Sequence, residues 1–276
     1  MTTPLEPSRG ASLDAVTSEL RRRGRKAFVP YLMAGFPSRG GFMDAAAIAL
    51  DCGADVLEIG VPFSDPLADG PVIQAAGKRA LANAITPQAC LDLAHDVHAR
   101  APRTPLVLMI YMNSILAAGG GRFLMRAAAA GVLGVIVPDL DLARAQETDT
   151  AAALAGLALI RLVAPITPAA RARRVLAGAR GFAYLVSVTG VTGARHQASF
   201  TLGPYVRRMR RLTRLPLYVG FGVSTAEQAR AVCTVADGAV VGSALLEALH
   251  GPQPLRMLGG LCTALRNGCN RAGARA

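Results

Sequence analysis

Short apolar runs alternating with stretches of helical spacing, about eight times over, constrain this chain more than any other feature. The runs are residues 28–33, 56–61, 106–111, 133–138, 158–163, 183–187, 217–220 and 238–241. They are nearly continuous in hydrophobicity instead of alternating, as strands buried on both faces of a parallel sheet are. Parallel neighbours need crossover connections. The helical stretches supply them at 42–52, 72–81, 86–100, 123–130, 143–155, 168–177, 206–212, 225–233 and from 244 onward. Thr86 and Thr167 read as helix caps, the first with Pro87 in the opening turn. Residues 188–202 read as a long loop.

Units of this kind closing on themselves make a (β/α)8 TIM barrel, which commonly runs to about 250 residues as one domain. The 276 residues here suit that fold class, α/β, as a single barrel domain over 1–276. An open doubly wound sheet would want a glycine-rich turn directly after the first strand, and Ala34-Gly-Phe-Pro37 is not one. Leu13, Val16 and Leu20, with Ser12 as cap, predict an extra N-terminal helix, and residues 1–10 read as a flexible lead.

Within the second strand one charge interrupts the apolar run. Glu58 lies among Val56, Leu57, Ile59 and Val61, where a carboxylate is costly unless paired, hydrogen-bonded or kept for chemistry. Pro62 ends the strand, and the loop beyond carries Asp65 and Asp69 between prolines. Barrels place their ligand sites at the carboxyl ends of strands, which is where this group of acids falls. The plainer readings are an ion pair for Glu58 and turn chemistry for the two aspartates.

A second constellation follows strands six to eight: Thr189-Gly-Val-Thr-Gly193, Gly220-Phe-Gly-Val-Ser224 and Gly242-Ser-Ala244. Amides unobstructed by side chains bind phosphate oxygens, and barrels commonly build a phosphate site after strands seven and eight. Gly193, Gly222, Gly242 and Ser243 are the candidate donors. No P-loop pattern is present, so a nucleoside triphosphate is not implied. The loop after strand six reads as a lid.

The formal charge of +12 raises nucleic acid as a partner. The arginines are dispersed through helical segments without interleaved aromatics, which favours solvated helix faces or an anionic small substrate. The longest apolar run is short of the roughly 20 residues a membrane span needs. The N-terminus lacks the apolar core of a secretory signal, so a cytoplasmic protein is expected. Five cysteines without a CxxC pair read as buried free thiols. His95 and His98 lie one turn apart with no completing ligand set, and no metal is expected.

Leu57-Glu-Ile-Gly-Val-Pro-Phe-Ser-Asp-Pro-Leu-Ala-Asp-Gly-Pro71 resembles the signature of the tryptophan synthase alpha chain family. The likeness continues in order through Phe28-Val-Pro-Tyr31, Tyr111-Met-Asn113, Pro138-Asp139, Tyr184-Leu-Val-Ser-Val-Thr-Gly-Val-Thr-Gly193 and Gly220-Phe-Gly222. The resemblance implies a lyase that cleaves indole-3-glycerol phosphate to indole and glyceraldehyde 3-phosphate, using neither metal nor organic cofactor. It implies Glu58 as acid/base, Asp69 as acceptor of the indole N–H, and Tyr184 beside Glu58. Tyr31, Met109, Tyr111 and Ile136 would wall the indole, Thr192 would belong to the lid, and the four clamp residues would hold phosphate. It implies a PLP-dependent beta chain as partner in an alpha2beta2 complex, facing Asp65, Pro66 and Asp139. A stand-alone lyase releasing indole, and a non-catalytic allosteric subunit, use the same residues and stay open here. Related phosphoribosyl-type barrels would share the clamp without the acids. Val188, Gly77 and Ser114 depart from the family's commoner residues on segments read as belonging to the lid or the partner surface.

Overall fold

The computed structural model describes residues 12–141, 143–186, 198–220 and 222–273, with side chains 198–201 excepted. The expected flexible lead and the lid residues Val188, Thr192 and Gly193 lie outside that set.

Eight parallel strands close in sequence order: β1 (Ala27–Met33), β2 (Leu57–Gly60), β3 (Leu106–Met109), β4 (Val132–Ile136), β5 (Ala158–Val163), β6 (Ala183–Val186), β7 (Leu217–Gly220) and β8 (Gly238–Val241). The helices are α1 (Leu13–Arg22), α2 (Arg39–Asp51), α3 (Pro71–Ala82), α4 (Pro87–Arg100), α5 (Met112–Ala117), α6 (Gly121–Ala129), α7 (Ala145–Leu154), α8 (Ala169–Ala177), α9 (Ala198–Arg210), α10 (Ala226–Val235), α11 (Ser243–Ala248) and α12 (Pro254–Gly273). The barrel reading therefore holds. None of the described helices is long and apolar enough to cross a membrane.

Local chemistry explains most boundaries. Ser12, Ser38 and Thr86 accept from amides in the first turns of α1, α2 and α4, and Pro87 opens α4. Thr225 and Gln228 form a reciprocal capping box on α10. Two expectations need correcting. Thr167 does not cap α8; its hydroxyl accepts from the Ala164 amide at 3.2 Å within the preceding turn, and Pro168 takes the cap position. The helix after β6 begins earlier than read, since α9 starts at Ala198 and runs through Pro204. Proline removes one helical hydrogen bond. Buried Val206 and Met209 hold the helix on the barrel all the same, and Tyr205 donates to the Val163 carbonyl at 2.6 Å.

The end of the barrel opposite the strand C-termini is sealed by α1. Leu13 packs so closely that a β-carbon on Gly134 would meet it at 2.8 Å. The Thr17 hydroxyl donates to the Gly181 carbonyl at 2.6 Å, and Asp14 accepts from the Gly181 amide at 2.8 Å. Nearby, Asp55 binds three elements together. Its carboxylate accepts from the Phe28 amide at 2.9 Å, from Arg25 Nε at 2.7 Å and from Arg266 of α12. Arg266 also donates to the Lys26 carbonyl at 2.7 Å. The four cysteines Cys90, Cys233, Cys262 and Cys269 are buried free thiols, while Cys52 is half-buried.

Removing one member of a buried ion pair leaves the other charge uncompensated. Asp55→Ala is therefore expected to destabilise the protein by about 3–5 kcal/mol, read as a lowered urea midpoint at unchanged slope.

Candidate active site

Strand register carries the site. Tyr31 pairs with Glu58, Glu58 with Val107, Val107 with Gly134 and Leu162 with Tyr184. Partners in a parallel pair point to the same face, and so do residues two apart. Tyr31, Glu58, Gly60, Met109, Ile136 and Tyr184 therefore all face the barrel interior, near the C-terminal ends of their strands. Two glycines make room for the tyrosines. A β-carbon on Gly60 would overlap the Tyr31 hydroxyl, and one on Gly220 would overlap that of Tyr184. Each ring thus lies across the next strand of the barrel. Gly60 stands two residues after Glu58, on the same face, and a strand glycine is the sequence sign of a close approach.

Glu58 is fully buried, and neither carboxyl oxygen has a hydrogen-bond partner among the described residues. The structural ion pair is thereby set aside. Burial pushes its pKa to about 8, with the nearby Asp69 adding to the rise. Asp69 is half-buried on the loop between β2 and α3. Burial raises it to about 6, opposed by a hydrogen bond from Tyr111. The two acids are thus separated: near pH 7 Glu58 is mostly protonated and Asp69 mostly ionised. Tyr31 and Tyr184 are both pushed well above the usual phenol range, first by burial and then by the acids, so they remain neutral donors.

The remaining expected wall residues are in place. Met109 and Ile136 are buried and paired across β3 and β4. Tyr111 is more than a wall. Its hydroxyl accepts from the Ala68 amide at 3.1 Å, and Phe63 stacks on its ring at 4.9 Å between centroids. Neither contact is visible in local sequence.

On the other side of the mouth lie the described clamp residues. Gly222 has φ +79°, a conformation suited to glycine, and follows β7. Gly242 opens α11 with no side-chain cap on its first turn, and Ser243 is exposed there. A β-carbon on Gly242 would meet the Tyr31 ring at 3.2 Å, so Tyr31 spans from the clamp side to the acid side.

The expected partner-facing residues divide. Asp65 is exposed and Pro66 half-buried on the β2 loop. Asp139 is exposed, but its carboxylate also accepts from the Met112 amide at 2.9 Å and so caps α5, a short helix that local sequence does not announce. Gly77 and Ser114 are buried, so neither departure lies on the surface. Leu67, beside Pro66, is 95% exposed, and Ile166 on the loop after β5 is 85% exposed.

Comparison with known proteins places this geometry. A family model described as tryptophan synthase alpha chain matches residues 17–257. A tryptophan synthase alpha chain of Roseiflexus castenholzii is 47% identical over 237 residues, covering 86% of this chain and 91% of that protein. One of Gloeobacter violaceus is 45% identical over 252 residues, covering 91% of each. The structure of tryptophan synthase subunit alpha from Legionella pneumophila superposes with a TM-score of 0.87 at 33% identity, covering 94% of this chain and 98% of the other. The aminoacrylate-bound tryptophan synthase of M. tuberculosis gives 0.84 at 34% identity, covering 94% and 99%. With a matching barrel, a matching family model and relatives alike over most of their length, this chain belongs to the tryptophan synthase alpha chain family.

Proposed function

We propose that Glu58 and Asp69 carry out, in this chain, the family's cleavage of indole-3-glycerol phosphate to indole and glyceraldehyde 3-phosphate. The observation that supports this most is the pair of acids at one barrel mouth with separated ionisation. Glu58, protonated, gives its proton to the ring carbon that bears the glycerol chain. Aromaticity is lost and positive charge develops on the ring nitrogen. Asp69, ionised, accepts the N–H hydrogen bond and stabilises that charge. The Glu58 carboxylate then takes the proton of the adjacent glycerol hydroxyl. The hydroxyl carbon becomes an aldehyde, the carbon–carbon bond breaks, and its electrons restore the indole. Glu58 ends as it began, so the step balances without metal or organic cofactor.

Tyr184 stands beside Glu58 as a neutral neighbour. Tyr31, Met109, Tyr111 and Ile136 enclose the bicyclic ring. Gly193, Gly222, Gly242 and Ser243 hold the phosphate end, and Thr192 serves in closing the site over Asp69. A field of +12 draws such an anion in. The reading places the chain in the cytoplasm as alpha subunit, with a PLP-dependent beta chain, in an alpha2beta2 complex that takes up the indole. The exposed Leu67, beside Asp65 and Pro66 on the β2 loop, and the exposed Ile166 on the loop after β5 favour this over a stand-alone lyase, with Asp139 read as a further partner-facing residue. Apolar side chains left bare at the mouth suit a protein partner.

Glu58→Gln is expected to lower kcat for cleavage by about 10²–10⁴-fold, measured as indole release with the beta chain present. Retained full activity would refute the assignment. The same variant tests the burial cost. Raising a carboxyl from its usual 4.5 to about 8 means the folded wild type loses stability as pH climbs between those values. Above pH 8 the Gln variant should be the more stable by on the order of a few kcal/mol, and equal melting curves at pH 9 would contradict this. Leu67→Asp should abolish co-elution with the beta chain while isolated turnover stays within about two-fold; unchanged co-elution would remove Leu67 from the interface.

A further inference from the structure

We propose that Tyr111 is the positioning residue for Asp69: its hydroxyl fixes the loop after β2 in the geometry that presents this acid to the substrate. The claim rests on the reading of Asp69 as acceptor of the indole N–H. It separates the two parts of one side chain, since the ring walls the pocket and the hydroxyl holds the loop.

Tyr111 is the residue before α5, in extended backbone conformation, and its side chain makes no cap bond to that helix. It crosses instead to the β2 loop and engages it at three points. Phe63 stacks on the ring at an interplanar angle of 23°. The Ala68 amide donates to the hydroxyl at 3.1 Å, and the hydroxyl also acts on the neighbouring Asp69 carboxylate, favouring its ionised form. One phenol oxygen thereby holds Ala68 as an acceptor and keeps its own O–H available toward the next residue, Asp69. Ala68 is exposed, so this bond to a buried phenol is its tie to the barrel. Among the described residues the loop's other bonds are local, such as Leu67 N–H to Asp65 C=O at 2.9 Å, Asp69 N–H to Pro66 C=O at 3.0 Å, and Gln74 Nε2 to Asp69 C=O at 2.9 Å. They shape the loop without fixing it against β3.

The next residue extends the tie. The Met112 amide donates to Asp139 at 2.9 Å, so the corner between β3 and α5 holds the loops after β2 and β4 together. Tyr111 can serve as donor throughout the working range, because burial and then Asp69 push its own ionisation far upward. Besides burial, the group acting on Asp69 is Tyr111 from this corner, while Asp69 itself raises Glu58 on β2, Tyr31 on β1 and Tyr184 on β6. Asp139 acts on Tyr111 in turn. Of these, the Tyr111 hydroxyl is the one that favours the ionised form of Asp69 by a hydrogen bond.

The test is Tyr111→Phe, which keeps the ring and the stack. The pH profile of kcat/KM for indole-3-glycerol phosphate is recorded with the beta chain present. The wild-type acid limb should reflect Asp69 and the basic limb Glu58. In the variant the acid limb should move up by about one unit while the basic limb stays, so the loss at pH 6 is several-fold greater than at pH 7.5. An unmoved acid limb, or a uniform loss across pH, would overturn the proposal. Titration of the Asp69 carboxyl by ¹³C NMR in the isolated chain should show the same upward shift, and an unchanged midpoint would overturn it as well. Should the variant fail to fold, hydrogen exchange on the wild type decides: the Ala68 amide should be protected relative to its exposed neighbours, and free exchange would refute the bond. No cleavage by wild type would instead sink the functional reading, leaving the NMR and exchange results to judge Tyr111 separately.

Discussion

A carboxyl group without a partner among the described residues, fully enclosed by a closed barrel, is the constraint around which this molecule is arranged. Water would hydrate Glu58, and an arginine would hold it as a structural anion; here neither oxygen finds a described partner. The energetic consequence is a proton retained near neutral pH. Because the charged form is penalised, the site weakens the fold in the range where it is useful. Such local conflict between stability and function is expected at working sites.

The rest of the barrel supports that conflict. At the end far from the mouth, α1 plugs the interior, and Asp55 joins both early strands to α12. Rigid strands then set the spacing of the inward residues, while the loops set the details. Gly60 and Gly220 let two tyrosines lie across neighbouring strands, so the pocket around Glu58 is walled by rings held in place. Asp69 differs because it sits on a loop. Its lesser burial and the nearby Tyr111 hydroxyl leave it the stronger acid, and that difference between two similar groups is what the proposed division of labour requires.

Several of the described arginines are architectural. Arg25 and Arg266 bind Asp55, and Arg161 binds Asp149 at 2.6 Å. Arg21, Arg126 and Arg208 donate to the carbonyls of Arg214, Ala118 and Pro165 at 2.6–2.7 Å. A planar guanidinium with several donors suits the satisfaction of carbonyls at helix and loop ends. The net positive charge is thus spread through the framework, which fits the reading of solvated helix faces better than a nucleic-acid groove.

What could be read from sequence followed from periodicity and from residue types with narrow conformational roles. Continuous apolar runs between helical stretches specify a parallel, two-sided burial, and Pro62, Thr86 and Pro87 mark their own boundaries. Glu58 stood out because a charge in such a run demands an explanation. Tertiary structure alone decided whether that charge was paired, since the answer depends on what seven other strands bring to the interior. It alone showed that Tyr111 reaches Ala68 and Asp69, forty-odd positions earlier in the chain. It alone let α5 be capped by Asp139 and α9 continue through Pro204. The physical reason is common to these cases: local pattern governs which face of an element is buried, whereas hydrogen bonds and desolvation depend on neighbours distant in the chain.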